Sequence, residues 1–161
     1  PASNTSYRAR LGALAGAAAL AAGDASTALA LLDAARGEAA KSGALAGEIA
    51  VDRARALVAL NRSAEAALAL GEARAAHPND AQAWLLSATL SRRQGDLVSA
   101  QAQIEKAATL APQDPAVGLE AGVIAALGGK EAAARLSFES VIALAPESEQ
   151  AAAAMAYLAQ L

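Results

Sequence analysis

Residues 81–114, AQAWLLSATLSRRQGDLVSAQAQIEKAATLAPQD, spell two helices together with the signals that start and stop them. Asp80, just ahead, is a good N-cap, because its carboxylate can accept from backbone N–H groups that the first helical turn leaves unpaired. Trp84, Leu85, Ala88 and Leu90 then recur at helical spacing. Gly95 ends the run, since glycine tolerates the positive φ that closes a helix. Asp96 caps a second helix, on which Ala100, Ile104, Ala107 and Ala108 form a stripe. Pro112 closes the unit, and Asp114-Pro115 opens the next with an N-cap and a proline in the first turn. The stretch predicts an antiparallel pair of helices joined by a short turn.

The same punctuation recurs along the chain. Pro78, Pro112 and Pro146 stand 34 residues apart, as do Ala66, Ala100 and Ala134, and as do Asn61, Gly95 and Gly129. Three residue types keeping one period mark a repeat architecture rather than a set of unrelated helices. The first unit is longer. Gly23 to Asn61 spans 38 residues, and no proline stands near Ala40, so its second helix is expected to run about one turn further, to Lys41–Gly43. The expected organisation is a single domain over 1–161, with hairpins at about 9–46, 47–80, 81–114 and 115–148 and a closing helix at about 149–160.

Composition agrees. Apolar residues make up 55% of the 161, but aromatics only 2%, so the apolar content is mainly alanine with leucine behind it. Alanine has the highest helix propensity and loses no rotamer entropy on folding, whereas the β-branched and aromatic residues that a sheet favours are scarce. The net charge of −3 lacks the basic excess of a general nucleic-acid binder. Without cysteine there is neither a disulfide framework nor a thiolate metal site, and the chain suits cytoplasm or periplasm equally. The longest apolar run, Leu11–Ala22, is about 12 residues, against about 20 for a membrane span. The chain begins with Pro1 in the polar stretch Pro-Ala-Ser-Asn-Thr-Ser, and is read as a fragment whose targeting segment would lie upstream.

With Ala81 as the first position, the unit resembles a tetratricopeptide repeat. The small residue expected at the eighth position is Gly16, Ala54, Ala88, Gly122 or Ala156; at the twentieth stand Ala28, Ala66, Ala100 and Ala134. The large apolar residue of the twenty-fourth is Leu32, Leu70, Ile104 or Phe138, and Ala35, Ala73, Ala107 and Val141 fill the twenty-seventh. The bulky fourth position is kept only by Trp84, with Gly12, Ala50 and Gly118 elsewhere, so closer helices or a weaker stack are expected. The resemblance implies an all-α, right-handed superhelical solenoid of antiparallel helix pairs, and the alanine-rich character resembles that of bacterial members.

Catalytic chemistry finds little footing. His77 is the single histidine, in the loop before Pro78, with no second histidine or cysteine to complete a metal set. Nucleophile elbows and phosphate-binding loops are missing, Gly128-Gly129 belongs to a helix turn, and no cofactor or enzymatic activity is expected.

What the resemblance implies is protein or peptide binding on a concave face lined by the first helix of each hairpin. The family's groove positions fall on Arg10, Val51, Arg55, Gln82, Leu85, Thr89, Arg92, Arg93, Leu119 and Val123. Apolar groups interspersed with arginines suit a peptide with apolar side chains and at least one acidic group, since the guanidinium fork pairs well with a carboxylate. Solvated arginines, some paired to Asp52 or Glu48, are the plainer reading. Relatives that clamp a chaperone's C-terminal carboxylate use Lys, Asn and Arg at positions that hold Ala13, Ala17, Asp52, Gln82 and Leu86 here, which disfavours that ligand. The closing helix is unusually apolar. Either Tyr157, Leu158 and Leu161 pack inward, or this end is covered by another chain, as in a homodimer or a self-assembling structural module, or by a removed continuation of this one.

Overall fold

The computed structural model describes residues 2–42 and 45–161. These form helices α1 (Ala2–Ala21), α2 (Ala25–Ser42), α3 (Ala46–Ala59), α4 (Ser63–Ala76), α5 (Ala81–Arg93), α6 (Leu97–Leu110), α7 (Pro115–Leu127), α8 (Glu131–Leu144) and α9 (Glu149–Leu158), with no strand among the described residues. Compact units divide the chain at the second repeat's closing proline, Pro1–Pro78 holding α1–α4 and Asn79–Leu161 holding α5–α9.

The repeated turn signals take the geometry they predict. Gly23, Asn61, Gly95 and Gly129 have φ of 80°, 58°, 81° and 72°, the left-handed conformation that glycine adopts freely and asparagine tolerates. In each case the next residue donates its N–H back to a carbonyl of the helix just ended: Asp24 to Ala19, Arg62 to Leu57, Asp96 to Ser91 and Lys130 to Ala125, at 2.8–2.9 Å. This satisfies carbonyls that the last turn would otherwise leave unpaired, and it reverses the chain into the second helix of each pair. Asp24, Asp80, Asp96 and Asp114 cap the following helices, accepting from the N–H of Thr27, Gln82, Ser99 and Ala116 at 2.8–3.0 Å.

Two local departures from the period are visible. Helix α2 has 18 residues, against 14 in each of α4, α6 and α8, and reaches Ser42. The expected end therefore lies at the edge of the described residues, with Gly43 outside them. Helix α1 reaches back to Ala2, through the polar stretch expected ahead of the first hairpin. Its exposed Asn4, Tyr7 and Arg8 are solvated, so polar composition does not prevent helix there.

Each hairpin is closed by small residues where its helices cross and by one large residue of the second helix. Ala28, Ala66, Ala100 and Ala134 are buried, and so are Leu32, Leu70, Ile104 and Phe138. A β-carbon on Gly16 would lie 2.5 Å from Leu32 Cγ, and one on Gly122 would overlap the Phe138 ring. Gly12 and Gly118, where the family's bulky position stands empty, behave alike. Their added carbons would lie 2.9 Å from Ala35 Cβ and 2.7 Å from Val141 Cγ2. The space expected to weaken these hairpins is filled from the second helix.

Candidate functional site

The groove positions sit on α1 and α3 in the first unit and on α5 and α7 in the second, and their burial divides them. Val51, Leu85 and Val123 are buried, Leu85 in the cluster around Ile104 and Val123 in the cluster around Phe138. These three hold helices together and offer a partner little surface. Gln82, Thr89, Arg92 and Leu119 are half-buried, while Arg10, Arg55 and Arg93 are more open to solvent. Thr89 turns its hydroxyl inward and donates to the Leu85 carbonyl at 3.1 Å, one helical turn back.

The arginines differ in how they are held. Arg55 donates to Asp52 on its own helix at 2.8 Å. Arg92 reaches across to α7, where Nε donates to Glu120 Oε1 at 2.5 Å and Nη2 to Oε2 at 3.4 Å. Their side chains are only 22% and 13% exposed, so this two-point pair is better shielded from water than ordinary surface pairs and fixes α5 to α7 along the first-helix face. Glu120 is absent from the groove positions carried over by the resemblance. Its signal was an acidic residue half a helix into the repeat that follows an arginine at a first helix's end.

Second helices carry their own connections. In the first unit, Arg53 of α3 donates to Asp33 of α2 at 2.6 Å, and Arg36 of α2 to Glu72 of α4 at 2.7 Å. Arg62 forms a two-point pair with Glu65 at 2.7 Å, whose hydrogen bonds hold the Glu65 carboxyl below the usual range. His77 is exposed, but its ring lies over Gly47, where any side chain would collide with it. The loop histidine is thus a packing residue of the α3 N-terminus.

At the end of the second unit, Tyr157 stacks on Phe138 with ring centroids 5.3 Å apart and planes 8° from parallel. Leu158 and Leu161 pack against the same cluster. All three end-face candidates therefore turn toward their own unit, although Tyr157 keeps one side in water. Among the described residues no group of three or more His, Asp or Glu side chains could hold a metal ion, and no helix is long and apolar enough to cross a membrane.

Comparison with known proteins places this geometry. The family model for the tetratricopeptide repeat matches residues 51–115. No curated protein matches the chain. Among solved structures, TTC0263, a thermophilic TPR protein of Thermus thermophilus, superposes with a TM-score of 0.79 at 21% identity, covering 94% of this chain and 82% of that one. MamA of Desulfovibrio magneticus RS-1 gives 0.74 at 18% identity, over 88% and 77%. YrrB, described as a TPR protein with an unusual peptide-binding site, gives 0.70 at 20% identity, over 88% and 71%. Residues 51–115 are tetratricopeptide repeat by family match, and the chain carries the tetratricopeptide-repeat fold.

Proposed function

We propose that the chain is a non-catalytic protein- or peptide-binding scaffold, and that its first-helix faces receive the partner. The observation that carries this reading is the Arg92–Glu120 pair. It ties α5 to α7 on the face where Gln82, Thr89 and Leu119 are half-open and Arg93 is more open still. A face whose own charges are already paired is pre-organised, so a partner does not bear the cost of ordering it. The peptide-binding site named for YrrB supports the reading that this fold accommodates such ligands.

The peptide best suited is an extended or helical segment with apolar side chains and a carboxylate. Arg92 is committed to Glu120, so the carboxylate falls to Arg93, or to Arg55 in exchange for Asp52.

The test is affinity capture from the source cell, identification of the captured protein by mass spectrometry, and titration of its binding segment against Arg93→Glu and Arg55→Glu. Arg92 is left alone, since reversing it would set two acids against each other. Each variant is expected to weaken binding about tenfold, equivalent to about 1.4 kcal/mol. Wild-type affinity in both variants would overturn the assignment of these faces.

A further inference from the structure

We propose that a hollow between the third and fourth hairpins is a second docking site, for a partner segment that carries a large apolar side chain beside a carboxylate. The inference goes beyond the peptide-binding reading of the first-helix faces and rests on other residues.

The hollow measures about 290 Å³ and opens where the start of α6 meets the α7–α8 turn. Leu97, Val98 and Gln101 of α6 line it, with Ile124 of α7 and with Gly128 and Lys130 of the turn. Ile124 is buried and lies deepest, whereas Val98 is 84% exposed. Gly128 adds no side chain, so the space stays open to a group the size of leucine or phenylalanine.

Comparison across the repeats isolates both the apolar lining and the charge. At the seventeenth and eighteenth positions the other hairpins carry Ala25-Ser26, Ser63-Ala64 and Glu131-Ala132, and α6 alone opens on two large apolar residues, Leu97-Val98. The sixteenth position is satisfied by the nineteenth in the first three hairpins. Asp24 accepts from the N–H of Thr27, Arg62 donates twice to Glu65 at 2.7 Å, and Asp96 accepts from the N–H of Ser99. In the fourth hairpin these positions hold Lys130 and Ala133, and alanine offers the ammonium no acceptor. Lys130 is exposed and pairs with no carboxylate among the described residues, while Glu131 beside it is given to Arg135 at 3.3 Å.

An apolar hollow with one uncommitted cation defines its occupant. The Arg62–Glu65 pair shows what a cation at this position holds, and at Lys130 the partner supplies the carboxylate. Removing water from Leu97, Val98 and Ile124 drives the binding. The exposed ion pair adds little affinity and mainly selects the ligand. Gln101 favours a peptide over a fatty acid. Its Nε2 donates to Glu105 at 2.8 Å, which leaves Oε1 to accept a peptide N–H that a fatty acid lacks.

Backbone-amide NMR of the whole chain, titrated with short capped peptides, reads the site directly. Acetyl-Gly-Leu-Glu-Gly-amide is expected to give saturable shifts at Leu97, Val98, Gln101, Gly128 and Lys130. Acetyl-Gly-Leu-Gln-Gly-amide should move the same amides but bind about threefold more weakly, and acetyl-Gly-Ala-Glu-Gly-amide should not saturate. Lys130→Gln should equalise the Glu and Gln peptides, and Val98→Ser should weaken both. Both side chains are exposed, and unchanged spectra away from the hollow confirm folding. Octanoate tests the fatty acid as occupant. The proposal is overturned if the Leu-Glu peptide gives no saturable shift at these amides, if its preference over the Gln peptide survives Lys130→Gln, or if octanoate binds there more tightly. Shifts confined to the surroundings of Arg55 and Arg93 would overturn this site alone and leave the first-helix reading standing.

Discussion

Hairpins α5–α6 and α7–α8 lie in the same unit and keep one period, yet they fill the crossing between their helices in opposite ways. In the first, Trp84 and Ala88 on α5 face a second helix carrying Ile104 and Ala107. In the second, α7 is reduced to Gly118 and Gly122, while α8 enlarges to Val141 and Phe138. Bulk moves from one helix to the other. The space at the crossing is thus filled from either helix, and no single position has to supply the bulk that a close-packed interior requires.

The sharpest way to break that comparison is to move the bulk back. Phe138 is fully buried and also carries Tyr157 of α9, so Phe138→Ala should cost about 3–5 kcal/mol and loosen the closing helix. Gly122→Ala alone should cost about 1–3 kcal/mol, because the new carbon overlaps the Phe138 ring. Combined with Phe138→Ile, which recreates the Ala88–Ile104 pair, Gly122→Ala should become nearly harmless, with a coupling of about 1 kcal/mol or more between the two sites. Urea unfolding of wild type, Gly122→Ala, Phe138→Ile and the double variant measures the cycle. Additive costs would show that the two hairpins do not exchange volume.

The two hairpins also differ at their second N-caps, where a smaller effect is expected. Asp96 caps α6 by accepting from Ser99 N–H at 3.0 Å, whereas Lys130, one period later, gives α8 no side-chain cap. Asp96→Ala should therefore lower the melting temperature, and Lys130→Ser should raise it. Thermal unfolding of both variants reads the asymmetry, and equal shifts of one sign would remove it.

What was legible in the sequence follows from how local each signal is. Turns and caps depend on a few consecutive residues, so Gly95, Asp96, Pro112 and Asp114 announce their geometry directly. The longer α2 is legible as four extra residues between Gly23 and Asn61. Compensation at Gly118 and Gly122 is not, because the groups that fill the space lie about twenty residues away on another helix and must be paired across the hairpin first. The face residues show the same limit. Periodicity places Val51, Leu85 and Val123 on first helices, but their burial depends on packing by neighbouring helices, which spacing alone does not report. Glu120 escaped for a related reason. Its tie to Arg92 runs between repeats, 28 residues apart, outside any motif of a single repeat.

The cap comparison can be sharpened by pH. The Asp96 carboxyl is held below its ordinary pKa by the Ser99 hydroxyl and then by backbone N–H groups of Ser99 and Val98, and Asp24 is lowered in the same way by Thr27 and Ser26. A carboxyl whose folded pKa lies below its unfolded one binds fewer protons when folded. Its contribution is therefore fully present above the ordinary aspartate range and is lost as pH falls through the folded value. Asp96→Asn keeps an N-cap acceptor but cannot ionise. The wild type's advantage in melting temperature over Asp96→Asn should accordingly be constant near neutrality, shrink as the pH drops below the usual carboxylate range, and vanish in stronger acid. Lys130→Ser has no carboxyl at the cap, so its gain over wild type should not follow that profile. An Asp96→Asn difference that stays flat down through the acid range would show that the cap acts through its geometry alone, and the charge on Asp96 would then play no part in setting α6 apart from α8.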